Sequence, residues 1–412
     1  MNKFFSNKIV KAFAFLFSGQ ILGQLISLVG AFYIPKLLGA EQYGNYQVII
    51  NYVLLYRLST FTGISKYNIR ELSVNKHNTS SIISSTILIR LATSFLGVVL
   101  GLVVLSFISY NSIVNKGIIL FFLYLFLFSI SDSLCSILVS KIEFKKLSLF
   151  NVLKSLTQVL LSILFLNFGY SEYALVIIYL FVEFFFLSLV YNEVCRNHNF
   201  SFSIVKFSWR ELFNKGYKFS FIEFLNLLSS RIDIFMLSIL VEPALVGVYA
   251  FANTIARKGL IVRRALQQPL YPHYANISIN ERSFKMLNRH FIMIAGISSL
   301  IVLVIFISSG YVIPLIAGIE FEQSVEIIKV LVFYLFFHYA VLPFNSFIEA
   351  QKFENLSLKI GVFRATTNVI TNIVFFNFFG VIGIAYSTVL VWVLNFLVFY
   401  FLSFSTIKNA LK

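Results

Sequence analysis

The sequence predicts an all-α integral membrane protein of twelve transmembrane helices, arranged as two pseudo-symmetric six-helix bundles around a central cavity. Hydrophobic residues make up 58% of the 412 residues and charged residues only 12%, whereas about a quarter of a soluble domain is charged. Long apolar runs, rich in the 49 Phe, favour spanning helices over a β-barrel. A spanning helix needs roughly 20 apolar residues, so the chain has room for about a dozen and for no soluble catalytic domain.

The apolar runs define the predicted helices in chain order. The first run follows basic residues, as in a signal peptide, but it continues to about Leu38 without a small-residue cleavage site. We therefore expect an uncleaved first helix. The predicted spans are 12–36, 44–65, 81–108, 117–140, 147–168, 172–193, 217–240, 246–270, 289–309, 325–349, 357–378 and 382–404.

The connections between these spans carry their basic residues mainly on one side of the membrane. That side includes both termini, whereas the connections on the opposite side contain only Lys36 and Lys116. Because Lys and Arg near helix ends are retained in the cytoplasm, we expect both termini to be cytoplasmic. The net charge of +16 therefore reflects membrane topology and does not indicate a nucleic-acid partner.

Two internal similarities indicate a duplication of six helices. The turn LLGAEQYGNY (37–46) aligns with LVEPALVGVY (240–249) at an offset of 203 residues. The segments 144–159 and 353–369 share the pattern F-x-x-L-S-L. A repeated block of the membrane domain is a common design in transporters. The alternative is chance similarity, because apolar sequence of low complexity produces such matches by itself.

The duplication predicts where the chain divides. After one inserted residue in the second similarity, Lys154 aligns with Arg364. Six helices per half give both halves the same orientation, so the repeat axis should run along the membrane normal. The predicted parts are an N-terminal bundle at 1–193, a cytoplasmic linker at 194–216 and a C-terminal bundle at 217–412.

Charged residues inside the predicted spans indicate a hydrated cavity. A charge at the centre of the bilayer costs about 2.5 to 3.5 kcal/mol, so these side chains should face protein or water. Cations outnumber acids there, which predicts a positive potential that attracts an anion. The alternative is that the charges pair with one another or that the outermost, such as Lys154, extend to the interface. The cations assigned to the cavity are Arg57, Arg90, Arg257 and Arg364, and the acids are Asp132, Glu183, Glu223 and Asp233.

The seventh predicted helix carries a polar stripe. Its members Glu223, Asn226, Ser230 and Asp233 recur at helical spacing, and they align with small and polar residues of the first helix. We expect both helices to line the cavity. For the first helix, close packing through small residues is an equal alternative. The polar residues predicted to line the cavity are Gln20, Gln24, Asn226, Ser230, Arg231, Asn253 and Asn368.

Enzyme motifs are absent from the sequence. It contains no glycine-rich phosphate loop, no H-E-x-x-H, no G-x-S-x-G and no paired cysteine ligands. We therefore expect neither an enzyme nor a metal site, and no cofactor. His338 lies in the middle of the tenth predicted helix, where it could gain or lose a proton near neutral pH. The alternative is a structural histidine held by hydrogen bonds.

Three segments carry a family resemblance. They are the LLGAEQYGNYQ turn, Gly63 followed by Arg70 and Glu71, and SSRIDIFMLSILVEPALVGVYAFA (229–252) with the prolines that close the eighth helix. With these segments the whole chain resembles Wzx-type flippases of O-antigen or related polysaccharide repeat units, in the multidrug/oligosaccharidyl-lipid/polysaccharide (MOP) exporter superfamily. The resemblance implies a MATE-like fold.

The resemblance also implies a function. Such a flippase moves an undecaprenyl-pyrophosphate-linked oligosaccharide across the bacterial cytoplasmic (inner) membrane by alternating access. Its partners would be this lipid-linked substrate, membrane lipid, and the polymerase and chain-length regulator of the pathway. The expected pyrophosphate or glycan ligands are Arg57, Arg257 and Arg364, supported by Arg90 and Lys154. Glu223 or Asp233 would carry a coupling proton or sodium ion, although the first helix lacks the carboxylate of drug-exporting relatives.

Two other functions remain open at the level of the sequence. A multidrug or cation antiporter of the same fold should have an acidic or aromatic cavity rather than a cationic one. An O-antigen polymerase or ligase should show a long external loop rich in Arg and His, whereas every predicted external loop is short.

Overall fold

The protein is built of α-helices in a computed structural model that describes residues 2–74, 79–203, 209–275, 277, 281–351 and 353–410. These residues form no β-strand. Among them, nine helical segments are long and apolar enough to cross a membrane. The predicted all-α membrane class is therefore confirmed, and the number of twelve spans stays a prediction.

The helices fall into two compact units. The first unit comprises Met1–Arg231 and Ser238–Pro243, and the second comprises Ile232–Leu237 and Ala244–Lys412. The helices of the first unit are α1 (Asn2–Leu55), α2 (Ile64–Val74), α3 (Thr79–Ser106), α4 (Ser112–Phe121), α5 (Leu123–Ser140), α6 (Phe144–Asn167), α7 (Glu172–His198) and most of α8 (Trp209–Leu240).

The second unit contains one short part of α8 and the remaining helices. Its part of α8 includes Asp233, which therefore belongs with the C-terminal helices. These helices are α9 (Pro243–Lys258), α10 (Ile261–Ala275), α11 (Glu281–Ala317), α12 (Gln323–Ala340), α13 (Leu342–Ala350), α14 (Glu354–Phe379) and α15 (Val381–Ala410).

Helices α7 and α8 extend into the segment expected to form a linker. Helix α7 ends at His198 and α8 begins at Trp209, while 204–208 lie outside the described residues. The predicted division at 194–216 stays a prediction.

The first predicted span and the start of the second lie within α1, which is kinked and consists of two helical segments. Within α1, Gly39 has φ 76° and ψ 172°, a left-handed conformation that glycine adopts without the clash of a Cβ atom. Pro35 lies one turn earlier, where its ring removes a backbone hydrogen bond. The kink falls inside the predicted turn at 37–46, so the helical segments on its two sides correspond to the first predicted span and the start of the second.

Helix α1 packs along α6 through small residues. A Cβ atom added to Gly19 would lie 1.6 Å from Oγ of Ser148, and one added to Gly30 would lie 2.9 Å from a methyl group of Val159. At these distances larger side chains do not fit without displacement. This face of α1 is thus a helix-packing surface, as the alternative reading of the first helix predicted.

Candidate functional site

In the first unit, Arg57 combines a buried donor with an aromatic neighbour. It lies in the 3-10 turn Tyr56–Thr60 that follows α1. Its guanidinium carbon is 3.9 Å from the centre of the Phe128 ring on α5, which is a cation–π contact. Its Nε atom is buried and has no hydrogen-bond partner among the described residues. The side chain as a whole is half-buried, so Arg57 retains hydrogen-bonding capacity for another group.

Arg90 on α3, by contrast, forms a buried ion pair. Its side chain is 0% exposed, and Nη1 donates to Oδ2 of Asp132 at 2.9 Å and to Oγ of Ser133 at 3.0 Å. Nε donates to the backbone oxygen of Thr60 at 2.7 Å. The Asp132 carboxylate neutralises the guanidinium, and no accessible surface remains for a ligand. In this arrangement Arg90 is a structural group.

Lys154 on α6 has an acidic partner as well. Its ammonium group forms an ion pair with Glu183 of α7, a side chain that is 0% exposed. The same carboxylate accepts a hydrogen bond from Oγ of Ser131 at 2.8 Å, and Lys154 Nζ lies 4.6 Å from the centre of the Phe186 ring. The pair joins α6 to α7 and removes most of the positive field of Lys154.

In the second unit, Asp233 lies at a junction of four helices. The carboxylate is 3% exposed and accepts hydrogen bonds from Tyr249 of α9 at 3.2 Å, Asn372 of α14 at 2.9 Å and Thr388 of α15 at 3.1 Å. All three donors are neutral. Neutral donors hold a carboxylate in place without cancelling its charge, so Asp233 remains able to bind a positively charged species.

A group of cations gathers around Trp392 of α15 in the same unit. The ring centres of His338, on α12, and Trp392 are 3.9 Å apart. The guanidinium carbon of Arg364, on α14, is 5.5 Å from the Trp392 ring centre. Nε of Arg263, on α10, donates to the backbone oxygen of His338 at 3.3 Å. We call these four residues together with Arg257 of α9 the arginine cluster.

The arginine cluster is a region of positive potential. Arg257, Arg263 and Arg364 all lie within electrostatic reach of His338. Arg257 is exposed, and its Nε donates to Oδ1 of Asn253 at 2.9 Å, one turn earlier, which orients the guanidinium. Three guanidinium groups near one histidine in an apolar unit form the kind of environment that binds a phosphate or another polyvalent anion.

The cations predicted from the sequence are thus divided between the units. Arg257 and Arg364 both lie in the second unit, whereas Arg57, Arg90 and Lys154 lie in the first. Two residues of the site were not predicted from the sequence. Trp392 contacts His338 and Arg364, and Thr388 donates a hydrogen bond to Asp233. Thr388 and Trp392 are four residues apart, so they lie on one face of α15, and this spacing is the sequence signal that could have identified them.

The predicted polar residues occupy several environments. Gln20, Gln24, Glu223 and Ser230 are half-buried, and Asn226 is exposed. Their assignment to a cavity stays a prediction.

Three more of the polar residues predicted from the sequence form side-chain hydrogen bonds. Arg231 donates from Nη1 to Oδ1 of Asn51 at 2.6 Å. Asn253 is 5% exposed and orients Arg257. Asn368 is 2% exposed, and its Oδ1 is 3.5 Å from Nδ2 of Asn372, next to the Asp233 junction.

One group of potential metal ligands occurs among the described residues. It consists of Glu143, Glu193 and His198, whose ligand atoms lie within 4.8 Å of one another. The ammonium group of Lys146 is 2.5 Å from a Glu193 oxygen and 3.1 Å from a Glu143 oxygen. Lysine therefore supplies the positive charge that these carboxylates require.

Solved structures share this fold over nearly the whole chain. An inward-facing MATE-family multidrug resistance transporter of the MOP superfamily superposes with a TM-score of 0.75 and 14% identity, covering 94% of this chain and 95% of that one. An outward-facing MATE-family transporter gives 0.70 and 14%, covering 97% and 96%. A MOP-superfamily transporter from Pyrococcus furiosus, described as having a binding pocket of reverse polarity, gives 0.66 and 14%, covering 98% and 96%. The chain therefore has the fold of these MATE-like structures.

The family follows from the sequence itself. Residues 9–278 match the model of the polysaccharide biosynthesis protein family, and the chain belongs to this family. Among curated proteins no sequence matches significantly. The family agrees with the predicted resemblance to proteins of polysaccharide biosynthesis, and the shared fold confirms the predicted MATE-like architecture.

Proposed function

We propose that the protein is a flippase that moves an undecaprenyl-pyrophosphate-linked oligosaccharide, such as an O-antigen repeat unit, across the cytoplasmic membrane. The observation that carries this proposal is the arginine cluster, in which Arg263 and Arg364 lie beside the His338–Trp392 pair and Arg257 lies within electrostatic reach of His338. A pyrophosphate cannot cross hydrocarbon unescorted, because an unpaired charge there is strongly unfavourable. Membership of the polysaccharide biosynthesis family supports a saccharide-bearing substrate.

Arginine suits the pyrophosphate group for a geometric reason. Its planar guanidinium donates two parallel hydrogen bonds to phosphate oxygens. We assign Arg257 and Arg364 to the headgroup in the second unit and Arg57 to the anionic substrate in the first. Arg90 and Lys154 are proposed to support the site as positioning groups and not to bind the substrate directly, because Asp132 and Glu183 already neutralise them. As further substrate contacts we propose the polar residues predicted from the sequence, namely Gln20, Gln24, Asn226, Ser230 and Arg231 of the first unit and Asn253 and Asn368 of the second.

Translocation by alternating access follows from the fold class. Relatives of this fold have been solved in inward-facing and outward-facing conformations. The Pyrococcus furiosus relative is described as having a pocket of reverse polarity that suggests a different function, so this fold carries binding sites of more than one polarity. A cationic site in this chain is consistent with an anionic substrate rather than with a cationic drug.

Asp233 is our preferred carboxylate for ion coupling. It is held by three neutral donors and lies within electrostatic reach of Arg257. A coupling ion bound at Asp233 would therefore change the field at a proposed headgroup ligand. Glu223 is half-buried on α8 and remains the second candidate. The coupling ion is a proton or sodium.

The distribution of basic residues supports a topology with both termini in the cytoplasm of a bacterial cell. The substrate then enters from the cytoplasmic leaflet, where lipid-linked repeat units are assembled, and leaves towards the polymerase and chain-length regulator of the pathway. A reporter that is active only outside the cytoplasm should be inactive when fused after Lys412.

Deletion of the gene tests the proposal in cells. Surface polysaccharide should be lost while lipid-linked single repeat units still form, because synthesis precedes translocation. Arg257→Ala should reproduce this loss at unchanged protein abundance. The measurement is the surface polymer on a gel together with the extracted lipid-linked repeats.

Lys258→Ala is the matched control for this experiment. Lys258 adjoins Arg257 but points about 100° away around the helix, so its loss should leave polymer formation within about twofold of wild type, a change well below 1.4 kcal/mol. Full-length polymer in the Arg257→Ala strain would contradict the headgroup assignment. Loss of the lipid-linked repeats themselves would point to an enzyme of their synthesis instead.

A further inference from the structure

The second predicted span is interrupted in the structure by a stretch that is not α-helical. Helix α1 ends at Leu55, the 3-10 turn Tyr56–Thr60 follows, and α2 begins at Ile64. We call residues 56–63 the α1–α2 connection. Such an interruption leaves backbone groups that a continuous helix would bond internally, and broken helices in transporters often lie at binding sites. This connection carries Arg57, the proposed anion ligand of the first unit.

Side chains from two other helices bind the backbone of the α1–α2 connection. Nε of Arg90 on α3 donates to the backbone oxygen of Thr60 at 2.7 Å. Oγ of Ser220 on α8 accepts a hydrogen bond from the backbone nitrogen of Gly63 at 3.1 Å. Thr60 and Gly63 are both buried. A buried backbone group without a partner is unfavourable, so these two hydrogen bonds stabilise the interrupted conformation.

One face of α5 contacts both arginines of this region. Asp132 accepts a hydrogen bond from Nη1 of Arg90 at 2.9 Å. The ring centre of Phe128 is 3.9 Å from the guanidinium carbon of Arg57 and 5.7 Å from that of Arg90. Phe128 and Asp132 are four residues apart and therefore share a face of α5. This face holds the arginine that bonds to the connection and supports the arginine that the connection carries.

The backbone of the α1–α2 connection is strained at Phe61. Its φ is 51°, a left-handed value that β-branched residues strongly disfavour and that glycine adopts freely. The side chain is 8% exposed and packs in one buried cluster with Ile64 of α2 and Ile89 of α3. Packing therefore holds an unfavourable backbone conformation four residues from a proposed ligand, and such strain is typical of functional sites.

We infer that the α1–α2 connection sets the direction of the Arg57 guanidinium, and that Arg90 and Phe61 are positioning residues that act through it. Arg90 bonds to the Thr60 oxygen, and Phe61 supplies the left-handed conformation between the 3-10 turn and α2. Neither side chain is a substrate ligand. The inference rests on the proposed function, because it takes Arg57 to be an anion ligand.

Two substitutions of Phe61 separate its backbone conformation from its packing. Phe61→Gly loses the most packing but adopts this φ freely, whereas Phe61→Val keeps more apolar volume and disfavours it. The measurement is the ratio of the affinities of the purified full-length protein for undecaprenyl pyrophosphate and for the uncharged alcohol of the same chain length. Phe61→Gly should keep this ratio within about twofold of wild type, and Phe61→Val should lower it at least about fivefold. The reverse order would overturn the inference.

Arg90→Lys tests the second positioning residue by the same ratio. Lysine keeps the positive charge beside Asp132 but lacks the planar fork that bonds to Asp132 and Thr60 together. The substitution should lower the ratio about as much as Arg57→Gln does. In the Arg57→Gln background it should have no further effect, because both changes remove the same contact. Losses that add would show that Arg90 acts independently of Arg57 and would contradict its positioning role.

Ser94→Ala is the matched control. Ser94 lies one turn after Arg90 on α3, is 0% exposed and bonds to Oγ of Ser129 on α5 at 2.9 Å. Its loss weakens the packing of α3 on α5 without removing a bond to the connection, so the ratio should stay within about twofold of wild type. If the melting temperature shows that Arg90→Lys does not fold, the two Phe61 variants decide the question.

Arg57→Gln separates this inference from the proposed function. If Arg57→Gln lowers the ratio while Phe61→Val and Arg90→Lys keep it, Arg57 remains a ligand and the connection does not position it. If Arg57→Gln leaves the ratio unchanged, the ligand assignment of Arg57 fails and the inference fails with it.

Discussion

At the scale of single residues, four of the predicted cations have two kinds of neighbour. Arg90 and Lys154 are paired with carboxylates, which cancel their charge. Arg57 and Arg364 lie against the rings of Phe128 and Trp392. An aromatic face stabilises a cation by its quadrupole and leaves the net charge in place. The second arrangement preserves the field that attracts an anion, which is why we assign substrate binding to these arginines.

The ion pair of Arg90 gives a prediction on stability. Asp132→Ala leaves a fully buried guanidinium without its acid, and breaking a buried pair in this way typically costs about 3 to 5 kcal/mol. We expect a clear fall in the unfolding temperature of the purified protein. The double variant Arg90→Met with Asp132→Leu removes both charges and should recover most of the loss. A double variant as unstable as the single one would show that the pair contributes through packing instead.

Sequence reasoning predicted which residues are charged within the spans but not which of them pair. Asp132 and Glu183 were recognised as buried acids, and four acids were judged too few for all the cations. Their actual partners depend on the rotation of α3, α5, α6 and α7 about their axes. Periodicity indicates which face of a helix is buried but not which side chains on that face meet. The aromatic partners were invisible for the same reason, because Phe128 is one of 49 Phe.

At the scale of helices, the two halves repeat one local arrangement. Lys154 of α6 lies over Phe186 of α7, and the aligned Arg364 of α14 lies over Trp392 of α15. In both cases a cation contacts an aromatic ring of the next helix. This correspondence supports the duplication predicted from the sequence. The halves differ in the acid, because the position of Glu183, three residues before the ring, is Val389 in α15. The second half thus keeps an arrangement suited to an anionic ligand.

The tight turn between α14 and α15 gives a prediction at this scale. A Cβ atom at Gly383 would lie 2.1 Å from the backbone oxygen of Phe375, and backbone cannot move aside as a side chain does. Gly383→Ala should therefore lower stability by about 1 to 3 kcal/mol, the usual cost of overpacking. Thermal unfolding in detergent measures the change.

Gly296 provides the control for that substitution. It lies in α11 with no atom within 4 Å of an added Cβ, so Gly296→Ala should be neutral or stabilising by up to about 1 kcal/mol through helix propensity. Equal effects of the two substitutions would show that the close approach at Gly383 does not constrain the turn.

At the scale of the whole molecule, composition and periodicity predicted the class of fold. Long apolar runs require helices in a membrane, and the described chain is helical throughout these runs. The break between the first two predicted spans has a structural counterpart, because Gly39 lies between them and its backbone is not helical. That α8 contributes residues to both units was beyond the sequence.

The central claim is that the arginine cluster binds a pyrophosphate headgroup, and a binding measurement on the purified protein tests it most directly. Affinity would be compared for undecaprenyl pyrophosphate and for the uncharged alcohol of the same chain length. We predict at least about tenfold tighter binding of the pyrophosphate, or about 1.4 kcal/mol. Arg257→Gln and Arg364→Gln should each lose most of this preference. Lys329→Gln, which removes a cation near Phe306 outside the cluster, should keep it. Equal affinity for the two lipids, or a preference that survives both arginine substitutions, would contradict the account.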